Sequence, residues 1–510
     1  MRHFGKVIME ETNIETVPME SLFFAGNAYV LNITIGIITG IIVTLIGIYF
    51  SNLPKNRQKR KLIKAKKFLD KGYADRAKIM YSQILMDNKE DDTLSSKAHV
   101  GRAQTYLHKK EENLDRAIND ADEALKHNDE NGIAYIVRGK AYSLKGEHSL
   151  AIADFIEALE RAIPQREDVY LCLGIEYLAL SDYDQAIKYY DLVLKQTPKK
   201  LIALNNRGLT YYLKKDYDRA IEDYNRALKI RPKDIIYLNN RGNAYDDKKA
   251  HDRAIVDYNK AIKINPNSVL SYYNRGKAYE NNRDYDLAII DYSKAIKLNP
   301  NNAILYYNRG FVYYRKKDYE RAINDFSHVL EINPENIIAL NDRGNVYVDM
   351  ENYEKAINDF NKAIDLSPDY IDAYCDRGTM YLMKGEHDLA IKDFDYVLRI
   401  DNNNVKAYGN RGNAYFNKGM NDKAIEDYDY ILRIDPGNII AYYSRSTAYH
   451  KNGDYDKAIN DLKTIVKMNW SFISMITERF CLHPNPEPVI LYHSPSSPKP
   501  THSIPPSADF

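Results

Sequence analysis

A pattern that returns every 34 residues constrains this chain more than anything else in it. From Leu201 it reads LIALNNRGLTYYLKKDYDRAIEDYNRALKIRPKD, and it starts again at Ile235, Val269, Ala303, Ile337, Ile371, Val405 and Ile439. Glycines 208, 242, 276, 310, 344, 378 and 412 fall at one phase, and alanines 220, 254, 288, 322, 356, 390, 424 and 458 fall twelve positions later. A fixed period of this size means that one supersecondary unit is stacked many times.

With Leu201 as position 1, small or apolar residues at 4, 8 and 11 (Leu204, Gly208, Tyr211) have helical spacing. A second helical set occupies 17, 20, 21, 24, 27 and 28, from Tyr217 to Leu228. Lys215 and Asp216 make the turn between them, and Pro232 ends the second helix because it has no N–H to donate. The unit is a helical hairpin, helix A then helix B. Glycine inside a helix costs about 1 kcal/mol against alanine, so its recurrence at position 8 predicts close packing of A on B.

Gly208, Tyr211, Ala220, Tyr224, Ala227 and Pro232 stand at the spacing of the tetratricopeptide repeat (TPR) family, which the chain resembles. Position 4, usually Trp in that family, is Leu204 here and Tyr at 272, 306 and 408. The resemblance implies an all-α superhelical solenoid, because one hairpin cannot bury its apolar face alone.

About twelve hairpins are expected over 58–472, with repeats near 58–91, 92–131, 132–166, 167–200 and the eight that start at Leu201. The stretch 92–131 is irregular: Ala117 and Ala124 are in phase, but Gly101 reaches position 8 only with a four-residue insertion near His108–Asn113. Residues 473–482 suit a capping helix, and the proline-rich 483–510 a disordered tail.

Ahead of the array, a short polar segment (1–28) is followed by Tyr29–Phe50, which carries no charge. As a helix it would reach about 33 Å, enough for a bilayer core. A cleaved signal peptide would have a shorter apolar run and a leading basic end. The flank 51–67 then holds Lys55, Arg57, Lys59, Arg60, Lys61, Lys64, Lys66 and Lys67 with no acid. The positive-inside bias puts this flank and the array in the cytoplasm and the N-terminus outside. The flank also suits anionic headgroups. Asn32, Gly36, Gly40 and Thr44 recur every four residues, a small-residue stripe on which two copies of a membrane helix could associate.

A net charge of +1 argues against a nucleic-acid partner. Cys172, Cys375 and Cys481 lie far apart without metal spacing, and the histidines are scattered. No nucleophile–base pair or phosphate loop is visible, so neither enzyme activity nor a cofactor is expected.

Two ladders run through the repeats. The first pairs Arg at position 7 with Asp at 23: Arg138/Asp154, Arg207/Asp223, Arg241/Asp257, Arg275/Asp291, Arg309/Asp325, Arg343/Asp359, Arg377/Asp393, Arg411/Asp427 and Arg445/Asp461. The repeat at 167–200 has Leu173 and Tyr189 there, both changed together, which predicts a structural salt bridge between A and B. The second is Asn206, Asn240, Asn274 and Asn308 at position 6, then Asp342, Asp376, Asn410 and Ser444. It resembles the asparagine ladder in the TPR domain of O-GlcNAc transferase, which implies a groove that holds a peptide backbone. The alternatives are a solvated helix face or a hydrogen bond within the scaffold.

The function expected is a membrane-anchored scaffold for extended peptides or partner proteins. The alternative is a chaperone-docking or import receptor of the anchored-TPR type. The carboxylate clamp of that class would use Lys and Asn at positions 5 and 9, where the first repeat has Leu62 and Lys66.

Overall fold

The computed structural model describes residues 54–87, 91–107, 113–161, 163–164 and 166–468, together with Val43. The expected membrane helix, its Asn32/Gly36/Gly40/Thr44 stripe, the capping helix and the tail lie outside the described residues. Among the described residues no helix is long and apolar enough to cross a membrane.

Over residues 54–468, twenty-four described helices follow one another in antiparallel hairpins, from α1 (Pro54–Asp70) and α2 (Ala74–Asp87) to α23 (Ile439–Asn452) and α24 (Tyr455–Met468). They form two units, one ending at Pro198 and one starting at Lys199. Within each unit, a hairpin's A and B helices pack together and the next A helix packs on that B. One such core joins Tyr273, Ala288, Tyr292, Ala295 and Ile296 of one repeat to Leu305 and Val312 of the next.

The hairpin ends follow from local chemistry. The Asp216 carboxylate accepts from the Arg219 amide and caps helix B. In most repeats from Leu201 onward the last residue caps the following A helix: Asp234, Asn302, Asn336, Asn404 and Asn438 each accept from a first-turn amide. The A-to-B turn puts position 15 in the left-handed region, as at Lys215 (φ 64°) and Lys249 (φ 65°). Glycine occupies it at 385, 419 and 453.

Glycine at position 8 makes room for the ring at position 24. A Cβ on Gly208 would stand 2.9 Å from the Tyr224 ring, and one on Gly344 would stand 2.6 Å from Phe360. The rings of Tyr190, Tyr224, Tyr258, Tyr292 and Tyr428 are fully buried at this contact.

The irregular repeat has a different register from the expected one. Gly101 does not face its own B helix; a Cβ there would meet the Tyr81 ring of the preceding hairpin at 2.3 Å. Arg102 forks onto Asp120, with Nε to Oδ2 at 2.7 Å and Nη2 to Oδ1 at 2.6 Å. Arg102 is therefore position 7, the buried Ala103 takes the small position 8, and Tyr106 falls at 11. The Arg–Asp separation is 18 residues instead of 16, so two residues are added before helix B. Four more are added in front, where α3 (Asp92–Leu107) begins a turn early and Asp91 caps Leu94.

Candidate functional site

The first ladder is a three-helix joint. In every repeat with Arg at position 7, guanidinium Nε and Nη2 donate to the two carboxylate oxygens of Asp at 23, as for Arg138/Asp154 (2.9 and 2.7 Å), Arg241/Asp257 (2.7 and 2.6 Å) and Arg309/Asp325 (2.8 and 2.7 Å). Arg207/Asp223, Arg275/Asp291, Arg343/Asp359, Arg377/Asp393, Arg411/Asp427 and Arg445/Asp461 repeat the fork.

The aspartates of this joint are closed to solvent. Asp223, Asp257, Asp291 and Asp325 are all buried, at 1–2% exposure. Asp257 and Asp325, like Asp223 and Asp291, are interior groups of the joint between helices A and B. The physical reason is position 23 itself, which lies on the side of helix B that packs against helix A, beside the buried ring at 24. Both oxygens of each carboxylate are taken by the arginine of the same repeat.

The remaining nitrogen, Nη1, reaches the B helix of the preceding repeat. Arg241 donates to Asn225, Arg309 to Ser293, Arg343 to Ser327, Arg377 to Asn361, Arg411 to Asp395 and Arg445 to Asp429. These acceptors all stand at position 25. Sequence reasoning missed them, although an acceptor at 25 recurs in the repeats and is replaced by Lys463 in the hairpin ending at α24. Tyrosines at 4 and 11 sandwich the guanidinium, as Tyr272 and Tyr279 do for Arg275 at 5.6 and 5.9 Å.

Burial pushes the carboxyls of Asp223, Asp291, Asp393 and Asp427 up, more than their arginines pull them down. The arginines themselves are held charged by those carboxylates, as at Arg275. With two short charge-assisted bonds each, the pairs are ionised at neutral pH. Desolvation takes back much of their Coulomb energy, so they specify the joint more than they stabilise it.

The asparagine ladder is not an open rail. Asn206, Asn240, Asn274, Asp376 and Asn410 are buried at 0–5% exposure; only Asn308 and Asp342 are half-buried. Neighbouring A helices approach closely enough for position 5 of one to bond position 6 of the next. Asn240 donates to Asn205 at 2.9 Å, Tyr307 to Asp342 at 2.6 Å and Asn341 to Asp376 at 3.3 Å. Asn308 donates to the Ile304 carbonyl and Asn410 to Thr379. Of the readings open for position 6, the hydrogen bond within the scaffold is the one these contacts form at Asn240, Asn308, Asp342, Asp376 and Asn410.

A second set of cross-repeat bonds joins positions 12 and 13. Tyr212 donates to Asp247, and Asn281 donates to Asp246 at 2.9 Å, with His251 Nδ1 also 2.6 Å from Asp246. Tyr314 bonds Asp349. Glu280 accepts from Tyr292 at 2.9 Å, and burial pushes its carboxyl up to about 7.

Over α11 (Ile235–Asp247), α13 (Val269–Asn281), α15 (Ala303–Arg315), α17 (Ile337–Asp349) and α19 (Ile371–Met383), positions 2, 6, 9, 12 and 13 carry a biased charge. Asp246, Asp247, Glu280, Asp342, Asp349, Asp372 and Asp376 stand there with Lys277 and Arg315, and Lys406 of the next repeat lies 3.4 Å from Asp376. Among these, Asp349 and Arg315 are exposed and Asp247, Lys277, Asn308, Asp342 and Asn345 are half-buried. At the clamp positions, Leu62 packs into the first core cluster and Lys66 is exposed. No group of three or more metal-ligating side chains occurs among the described residues.

Family models described as tetratricopeptide repeats match residues 102–167 and 172–235, then 235–268, 269–302, 303–336 and 405–438, and 428–460; one described as TPR repeat matches 344–385 and 378–419. No curated protein matches the chain. Solved structures similar to it include a tetratricopeptide repeat protein from Parabacteroides merdae, 23% identical with TM-score 0.40, covering 48% of this chain and 97% of that one. MamA is 28% identical with TM-score 0.30, covering 32% and 94%. The APC/C hetero-tetramer Cut9–Hcn1 is 14% identical with TM-score 0.38, covering 79% and 97%.

Proposed function

The chain is a tetratricopeptide-repeat protein, and from that premise we propose that it is a membrane-anchored scaffold whose A-helix face holds extended, basic segments of partner proteins. The observation that carries this reading is the acid-rich lane of half-buried and exposed side chains over residues 235–383. Asn240 and Asn410 join neighbouring A helices, Asn308 bonds its own helix, and Asn206 and Asn274 are buried, so ligand contact falls to the rows beside them. Asp247, Asp342 and Asp349 supply charge there, and Asn308 and Asn345 supply amides that both donate and accept.

Anchoring rests on the uncharged run Tyr29–Phe50, and the cytoplasmic side on the basic flank that follows it. Homodimerisation through Gly36 and Gly40 belongs to the same reading. Catalysis and a nucleic-acid partner are not part of it.

The test is binding of lysine-rich and glutamate-rich peptides to the detergent-solubilised full chain. The double substitution Asp247→Asn, Asp349→Asn keeps an acceptor for Tyr212 and Tyr314 but removes both charges. It should weaken lysine-rich binding by about 0.5–2 kcal/mol, since an exposed pair is worth up to about 1 kcal/mol, and the loss should vanish in high salt. Unchanged affinity, or equal affinity for the glutamate-rich peptide, rejects the acidic lane.

A further inference from the structure

Among the described helices, α1 has an outward face whose chemistry the array does not use. Its inward side is committed: Ala65 and Leu69 are buried, and Leu62 and Phe68 pack beside them against Tyr81 and Ile84. On the opposite side Ile63 is 68% exposed. Lys59, Arg60, Lys66 and Lys67 lie three or four residues from it, on the same face, and all are exposed. Among the described residues none of these four cations has a carboxylate partner; the one ion pair of the helix is Lys61 with Asp87, at 2.8 Å on another side.

One exposed aliphatic side chain thus stands among four cations that have no carboxylate partner among the described residues. It is the arrangement by which a surface helix seats itself on an anionic bilayer, with cations at headgroup phosphates and carboxylates and the apolar side chain among the upper acyl carbons. A nucleic acid would also meet the cations, but it offers nothing to Ile63. Position along the chain favours the membrane as well, since α1 starts four residues after the uncharged run ends at Phe50. We propose that helix α1 lies on an anionic membrane surface with Ile63 in the interface, so that the first hairpin is a second membrane contact that fixes the array against the bilayer. This rests on the reading of Tyr29–Phe50 as a membrane segment.

The experiment uses the full chain with Cys172, Cys375 and Cys481 replaced by Ala and with Ile63→Cys carrying an environment-sensitive fluorophore. It is placed in nanodiscs of neutral phosphatidylcholine and in discs that also contain phosphatidylserine. A blue shift and intensity gain are expected in the anionic discs only. Both should disappear in about 1 M salt, where the Debye length is about 3 Å, and in the added triple change Lys59→Glu, Lys66→Glu, Lys67→Glu. The same fluorophore at Ile79→Cys on α2 reports any general effect of the disc and should not respond. Equal emission in the two discs overturns the proposal, as does a response to a short DNA duplex that matches the response to lipid. Failure of the underlying reading looks different: the chain would then not enter even neutral discs, which size-exclusion detects before any fluorescence is read.

Discussion

The repeat at 167–200 and the repeat at 269–302 solve the same problem differently. The second holds its helices with Arg275, which forks onto Asp291 of its own B helix and reaches Asn259 of the one before. The first has the buried Leu173 in place of the arginine, and the Tyr189 ring stacks on Tyr177 with centroids 5.6 Å apart. Its tie to the preceding repeat moves to Glu176, buried at 2% exposure, which accepts from Ser143 at 2.5 Å and lies 2.8 Å from His148 Nδ1. The hairpin therefore does not need the ion pair. Both repeats do carry a polar tie to the predecessor, and its position is negotiable as long as both partners change together.

The largest expected effect breaks the second repeat. Arg275→Ala leaves Asp291 buried without a counter-charge and should cost about 3–5 kcal/mol, read as lost hydrogen-exchange protection in α14 (Tyr285–Leu298). Installing the other solution, Arg275→Leu with Asp291→Tyr, should recover most of that. Equal losses in the single and double variants would mean that the two residues do not act as a pair.

Next comes a feature the two repeats share. A Cβ on Gly174 would stand 2.5 Å from the Tyr190 ring, and one on Gly276 would stand 2.9 Å from Tyr292. Overpacking a tight contact costs about 1–3 kcal/mol, so Gly174→Ala and Gly276→Ala should both destabilise, the first more. If Gly174→Ala were tolerated, the Leu173 repeat would be the looser hairpin.

A smaller effect separates the two by pH. Glu280, a half-buried acid of the second repeat, has its carboxyl pushed by desolvation from 4.5 up to about 7. The folded state thus keeps a proton that the unfolded chain releases as pH rises from 4.5 to 7. Stability falls across that window, and the loss is complete above pH 7. Glu280→Gln should abolish the slope and stabilise the repeat at pH 8 by about 1–3 kcal/mol. A melting profile with the same pH dependence in the variant would assign the slope elsewhere.

The smallest effect tests the turns. Ser181 and Arg283 occupy position 15 with φ 60° and 65°. A left-handed residue costs about 1–2 kcal/mol, and glycine returns about 0.4–1 kcal/mol as unfolded-state freedom. Ser181→Gly and Arg283→Gly should therefore each raise stability slightly, by about 1 kcal/mol or less. A clear loss in either would show that the side chain contributes to its turn.

The hairpin, its register from Leu201 onward and the pairing of Arg at 7 with Asp at 23 were all legible in the sequence. Each depends on residues 16 or fewer apart within one unit, and helical periodicity carries that information directly. In the stretch 92–131 the same logic misread the register, because it trusted a glycine; Arg102, Ala103 and Tyr106 held the correct phase in plain view.

What only the tertiary structure decided lies between units. Whether Asn240 faces a ligand or Asn205 depends on how closely two A helices stack, and the stacking distance is set by the rings and glycines of both hairpins together. The same holds for the third arm of each arginine: Asn225 becomes its acceptor only when the neighbouring B helix is brought alongside. The depth at which Asp257 and Asp325 are buried is likewise set by packing, since an acid at 23 reads the same in sequence whether it is open or closed to water. A single unit's sequence specifies its own fold, but the destination of a polar side chain at its edge is a property of the pair.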